Sequence, residues 1–336
     1  MVRFLILAML LGLLLLALLK LLGLLLLAFG AVVAATLIRA LADAIDARAH
    51  LGDRPAFYAA LLSIVAVVTG VVWLFGSRFS ADVSQLTDTL GSAWDSLAAR
   101  IAQLPGGQGM VEALQDISLS GKDILPRLSS ALGVLTTGIT DVVLLLFGAV
   151  FIASDPGLYR RGLVMLVPKG RRDLAGDALD TAGAALRQWM VGQFFTMAFI
   201  GLLTGLGLWL VGVPAAAALG LMAAFLEAIP YLGPILSALP VLAMAATVDE
   251  RTMFLALAVV VVVQQVEGSL VTPYVHKKVV SLPPAVSVFG VVAGGVLFGP
   301  LGLILAAPLL IVAFVLVKRL YVEEVLDTPV ELPGRE

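Results

Sequence analysis

Two proline-and-glycine breaks inside long apolar runs limit this chain more than any other feature. The first is Ile229-Pro230-Tyr231-Leu232-Gly233-Pro234, set between the apolar residues 215–228 and 235–248. The second is Phe298-Gly299-Pro300-Leu301-Gly302, between 285–297 and 303–317. Proline lacks an N–H and clashes with the preceding turn, so a helix stops or kinks there. Glycine lets the backbone turn sharply. In hydrocarbon a freed backbone group costs several kcal/mol, so broken backbone persists only inside protein or beside water. Paired breaks at matching places in two halves of a membrane protein point to a transport site. A site between the two breaks is therefore expected.

The apolar runs belong to a polytopic all-α membrane protein. The chain is 61% hydrophobic and only 13% charged, where soluble domains carry about 25% charged residues. It has no cysteine, which excludes disulfides, thiolate metal sites and cysteine nucleophiles. About eight hydrophobic segments are expected. Residues 1–77 read as N-terminal membrane helices. The apolar run 4–38 far exceeds a signal peptide's apolar region; two short helices turning near Lys20–Gly23 are preferred over one long tilted helix. Residues 78–132 read as an extracytoplasmic segment. In it Phe79, Val83, Leu86, Leu90, Trp94, Leu97, Ile101 and Leu104 share a helical face, and Pro105-Gly106-Gly107 ends it. Residues 133–154 form a further span, and 155–189 a basic amphipathic linker at the cytoplasmic membrane surface. Residues 190–318 make the transport core, and 319–336 a cytoplasmic tail.

Lys and Arg favour the cytoplasmic side. Arg3 and the segments 39–55, 155–189, 276–278 and 318–336 hold 15 of the 21. This puts both termini inside and 78–132 outside, in a bacterial inner membrane. Residues 215–248 must then leave from and return to the outer side, and 285–317 from and to the inner side. Each becomes a hairpin with its break at the tip, re-entrant or fully crossing. The two helix–hairpin repeats have opposite topology, the inverted-repeat plan of secondary transporters. Arms of 13–15 residues are short for a span, which favours re-entry. The patterns Gly201-Leu-Leu-Thr-Gly205, Gly290-Val-Val-Ala-Gly294 and Gly295-Val-Leu-Phe-Gly299 allow close helix packing, expected to be intramolecular.

Ionisable groups at membrane depth are expensive and are functional candidates. Glu227 lies three residues before Pro230. Glu267 lies in Gln264-Gln265-Val266-Glu267, on a helix expected to face the second repeat. Gln264 and Glu267 share a helical face, as do Gln193 and Thr196. Tyr231 adds a hydroxyl, and Gly233 and Pro234 shape the first tip. The substrate- or ion-binding set is thus Glu227, Tyr231, Gly233, Pro234, Gln193, Gln264 and Glu267. Pro230, Gly299, Pro300 and Gly302 are the gate and hinge candidates. A carboxylate in low dielectric holds a proton more readily, so the only cofactor-like species called for is a coupling H⁺ or Na⁺. Asp141 and Asp155 sit at span ends as capping or interfacial residues. No metal-ligand spacing, phosphate loop or catalytic constellation is present, so neither an enzyme nor a metal protein is expected. The expected partners are the lipid bilayer and a small polar solute, not nucleic acid.

Four segments carry a family resemblance: Gln188-Trp189-Met190-Val191-Gly192-Gln193; Glu227-Ala-Ile-Pro-Tyr-Leu-Gly-Pro234; Gln264-Gln265-Val-Glu267 followed by Pro273; and Gly295-Val-Leu-Phe-Gly-Pro-Leu-Gly302 followed by Pro308. At these the chain resembles the autoinducer-2 exporter family, well over residues 140–318 and in layout before that. The resemblance implies an efflux transporter, assembled as a homo-oligomer, for an autoinducer-2-like signal or metabolite. It also implies Na⁺ or Li⁺/H⁺ antiport as a rival function on the same scaffold. A passive channel or membrane scaffold is the remaining alternative.

Overall fold

The computed structural model describes residues 2–70, 139–271 and 283–329, with side chains from Leu21 onward. The expected outer segment 78–132, the basic tip at Lys277 and Lys278, and the end of the tail lie outside the described residues. Those described form nine α-helices and no strand. They are α1 (Val2–Ala49), α2 (Asp53–Gly70), α3 (Ile139–Ser154), α4 (Pro156–Met165), α5 (Arg172–Leu210), α6 (Ala216–Leu226), α7 (Leu232–Ala246), α8 (Glu250–Val266) and α9 (Pro284–Val317). By length and composition five of the described apolar stretches could cross a bilayer. One of them, in α9, is folded back on itself as described below.

The chain divides into two compact units. The first gathers residues 1–60, 139–187 and 282–336; the second gathers 61–138 and 188–281.

In the first unit α1 runs unbroken through Lys20–Gly23, so the turn preferred there from the sequence is absent. Gly23 costs only about 1 kcal/mol in a helix and no proline removes an N–H, so the leucine-rich flanks carry the helix through. At 1.5 Å per residue α1 is about 72 Å long. A single helix crosses once, so the count that placed Met1 beside residues 39–55 loses one crossing. The polar residues 39–49 are the last turns of α1 rather than a loop. There Arg39 donates from Nε to the Ala153 carbonyl, and to the Ser154 carbonyl at 3.0 Å and Asp53 at 2.6 Å. Its guanidinium thereby satisfies carbonyls that the end of α3 leaves open. After Ser154 the axis bends by 91° into α4. Asp155 makes that bend possible as the N-cap, accepting from Leu158 N–H at 3.0 Å, with Pro156 at the first helical position.

Helix α9 contains the second break. Gly299 has φ 65° and ψ −147°, a region essentially reserved for glycine. Across it the two arms return face to face. A Cβ built on Gly294 would meet the Gly302 carbonyl oxygen and the Ala306 side chain, and one built on Gly290 or Gly295 would meet Leu310 or Leu303. These pairs, closing on Gly299, define an antiparallel helical hairpin at the expected position.

The second unit contains the first hairpin. Arms α6 and α7, with 11 and 15 residues, are about 16 and 22 Å long. Neither matches the ~30 Å hydrocarbon thickness. The base of the hairpin is closed by a buried apolar cluster of Leu208, Val213, Leu219, Val241, Met244 and Ala256. Gly201 and Gly205 receive Gly220 and Ala224 of α6, so the first small-residue pattern packs within the chain. Asp249 caps α8, accepting from Thr252 N–H at 2.6 Å. That bond holds its carboxyl below the ordinary carboxylate value. Its contribution to stability is therefore full above the unfolded-state pKa and is lost as pH falls through the lowered folded-state one. The thermal stability that wild type holds over Asp249→Ala in detergent is expected to be constant at neutral pH and to vanish in acid.

Candidate functional site

The tip of the first hairpin is where backbone and charge come together. Helix α6 ends at Leu226, and the turn that follows is held by Ile229 N–H on the Leu226 carbonyl at 2.9 Å and Gly233 N–H on the Ile229 carbonyl at 2.8 Å. Tyr231 takes φ 66°, a positive value unusual for a bulky residue and a sign of a held, strained turn. Gly233 lies so close to the Leu226 carbonyl and the Glu227 backbone that a Cβ has no room.

The turn stops the helical ladder at Glu227. Its carbonyl is answered from α5 by the Gln193 side chain, whose Nε2 donates at 2.7 Å in a buried bond. The Glu227 side chain is 4% exposed, and its Oε2 has no hydrogen-bond partner among the described residues. Its carboxyl neighbours that of Glu267. Glu267 stands where α8 widens into a π-turn, Glu267–Val271. Such widenings recur at functional sites.

No cation of the described residues answers this pair within the unit. Helices α6 and α7 hold no other ionisable side chain, nor does α5 from Gln188 to Leu210. On α8 the one basic residue is Arg251, sixteen positions before Glu267 and so about 24 Å along the axis. When both are ionised, two neighbouring carboxyls repel, and one positive charge between them removes that repulsion.

The remaining candidates are placed differently. Gln264 is half-buried one turn before Glu267, and Tyr231 is 50% exposed. The Pro234 carbonyl accepts from Ser237 at 3.1 Å and the Pro230 carbonyl from Leu232 N–H at 2.8 Å, so both serve the turn. Gly299, Pro300 and Gly302 belong to the hairpin of the first unit, whose arms carry no ionisable side chain. The break there offers backbone groups only. Within its unit, the Glu267 carboxyl lies beside that of Glu227 at the first hairpin. Gln188, whose buried Oε1 lacks a partner among the described residues, entered only through the family resemblance, and Arg39 of α1, bonded to the end of α3, was not singled out by pattern. Arg39 is recognisable only once α1 and α3 are seen to pack.

Replacing Gln193 by Leu leaves the Glu227 carbonyl buried and unpaired. A loss of about 1–3 kcal/mol is expected, read as a lower unfolding temperature of the purified protein. Gln193→Glu, which has no proton to donate when ionised, is expected to be no better than Leu.

The described residues are all helical, with several membrane-length apolar helices and two helical hairpins broken at glycine and proline, which defines a multi-pass membrane protein. The AI-2E family transporter pattern matches residues 4–321, and the chain belongs to that family. It is 28% identical over 158 residues to "Putative transport protein YrrI" of Bacillus subtilis, covering 47% of this chain and 45% of that one. It is 27% identical over 201 residues to "Putative transport protein YueF" of the same organism, covering 60% and 54%. To "Putative transport protein MT0215" of Mycobacterium tuberculosis it is 29% identical over 266 residues, covering 74% and 70%. The chain thus spans about half the length of the first two of these curated relatives.

Proposed function

We propose that the protein is a secondary active exporter of a small polar solute, working by alternating access and driven by an ion. The observation that carries this reading is the buried Glu227 carboxyl at the hairpin break, set against Glu267 with no cation of the unit's described residues to balance the pair. A proton or a Na⁺ is the natural balancing charge. Binding or losing that charge changes the electrostatic cost of holding the tip against α8, so occupancy and tip position are linked. Transporters with broken helices hold ions with carboxyls and with tip carbonyls, each of which keeps a second lone pair beyond its turn hydrogen bond. The family name supports an autoinducer-2-like solute.

In this reading each hairpin dips into the bilayer from one face, the first from the outside and the second from the cytoplasm of a bacterial inner membrane. The basic segments of the first unit support the sidedness.

Na⁺ or Li⁺/H⁺ antiport is the second reading. What favours it is that two facing carboxyls supply anionic oxygens of the kind that bind a monovalent cation. Proteoliposomes with a pH gradient separate the two. Gradient-driven accumulation of an added polar solute supports export. Na⁺ or Li⁺ movement without solute supports antiport. Solute flux that never exceeds its own gradient contradicts both.

A further inference from the structure

Helix α4 and the turn after it stand largely exposed in the first unit. None of its residues is buried. Leu158, Tyr159, Leu163, Met165 and Leu166 fall within about 160° of the helix circumference, and they are 40–82% exposed. On the other side Arg160 donates twice to Asp180 of α5, at 2.6 and 2.5 Å. That clamp turns the apolar face away from the unit.

The bend fixes where this face points. Helix α3 is apolar and exposes Phe147 and Phe151, so its surface belongs to lipid. With α3 upright in the bilayer, a helix bent 91° from it runs close to the bilayer plane, its apolar face continuous with the lipid-facing side of α3. The charge complements this. Arg160, Arg187 and Arg319 are spent on Asp180, Asp43 and Asp177. Arg172 donates to the carbonyls of Val167 and Met165. Arg161, Lys169 and Arg171 are exposed, and no ion pair engages them among the described residues. The nearest acids are Asp155, used as the cap, and Asp173 in the first turn of α5.

We propose that α4 and the turn Lys169–Arg171 are a docking surface for acidic phospholipid. The apolar face enters the acyl boundary, and Arg161, Lys169 and Arg171 hold the phosphodiesters of lipids such as phosphatidylglycerol. An amphipathic helix lying in the interface gains from buried apolar area and from attraction to anionic headgroups together. Arginine adds forked hydrogen bonds to phosphate oxygens.

The full chain, purified in detergent, is equilibrated with equal phosphatidylglycerol and phosphatidylcholine, and retained lipid is weighed by native mass spectrometry. Phosphatidylglycerol is expected to dominate. Its preference should fall roughly fivefold for each cation neutralised in Arg161→Gln, Lys169→Gln and Arg171→Gln, with the helical content unchanged. Equal retention by the triple variant would overturn the proposal. So would displacement of the lipid by millimolar inorganic phosphate, which would mark a soluble-anion site. A second readout does not depend on these variants. A polarity-sensitive fluorophore on Leu163→Cys should shift to the blue on reconstitution and be quenched by chain-brominated lipid. A fluorophore that stays in water there would place α4 off the membrane and sink the idea.

Discussion

Glu227→Gln is expected to abolish ion-driven transport in proteoliposomes while leaving the protein at least as stable as wild type. The amide fills the same space and removes one of two facing carboxyls, so the repulsion that the fold carries at the hairpin tip goes with it. The positive charge proposed to balance the pair is then expected to bind about 3 kcal/mol, or roughly 100-fold, more weakly, the cost of removing one partner of a buried ion pair. Glu267→Gln should behave alike, and the double variant should be no worse than either, because one site cannot be lost twice. Unfolding in detergent checks the stability half and gradient-driven flux the functional half. A residue that served only the fold would show the reverse: lower stability and normal flux per folded molecule.

Gly302→Val is expected to have the largest effect on the fold. A Cβ at Gly302 falls on the Gly294 carbonyl and within 2.7 Å of the Phe298 Cβ. No side-chain rotation relieves a contact of backbone with backbone, so the arms of the second hairpin must separate. Overpacking costs about 1–3 kcal/mol where neighbours can adjust, and here the top of that range or beyond is expected. Gly299→Ala is the comparison. Space around Gly299 is open, so its cost is conformational alone, about 1–3 kcal/mol. Yield of monodisperse protein and its unfolding temperature should rank wild type first, Gly299→Ala second and Gly302→Val last. A Gly302→Val protein as stable as wild type would mean that the arms do not pack as described.

Both hairpins could be read from the sequence because proline and glycine act on their own backbone, whatever surrounds them. Pro230 and Gly299 end helices for reasons of N–H chemistry and φ. Glu227 stood out for a similar local reason, as a carboxylate deep in an apolar run. Its meeting with Glu267 was not legible. Forty positions separate them, and the contact depends on how the hairpin packs on α8, which no periodicity records. Helix α1 misled because Lys20 and Gly23 resemble a turn, yet neither removes a hydrogen bond. Nothing between Arg172 and Leu210 breaks the helix, so α5 continues through the expected join between the basic linker and the next span. Arg39 shows the opposite limit: its ligands are carbonyls more than a hundred residues away, and carbonyls leave no mark in a sequence.

The central claim, that water reaches each break from one face of the membrane and from opposite faces for the two, is tested most directly by sided labelling. The chain has no cysteine, so Tyr231→Cys and Pro300→Cys each give a single thiol at a tip. An impermeant maleimide is added to right-side-out and to inverted membrane vesicles. The account predicts that Tyr231→Cys reacts only in the former and Pro300→Cys only in the latter. Reaction of both from the same side, or of neither from any side, would contradict it.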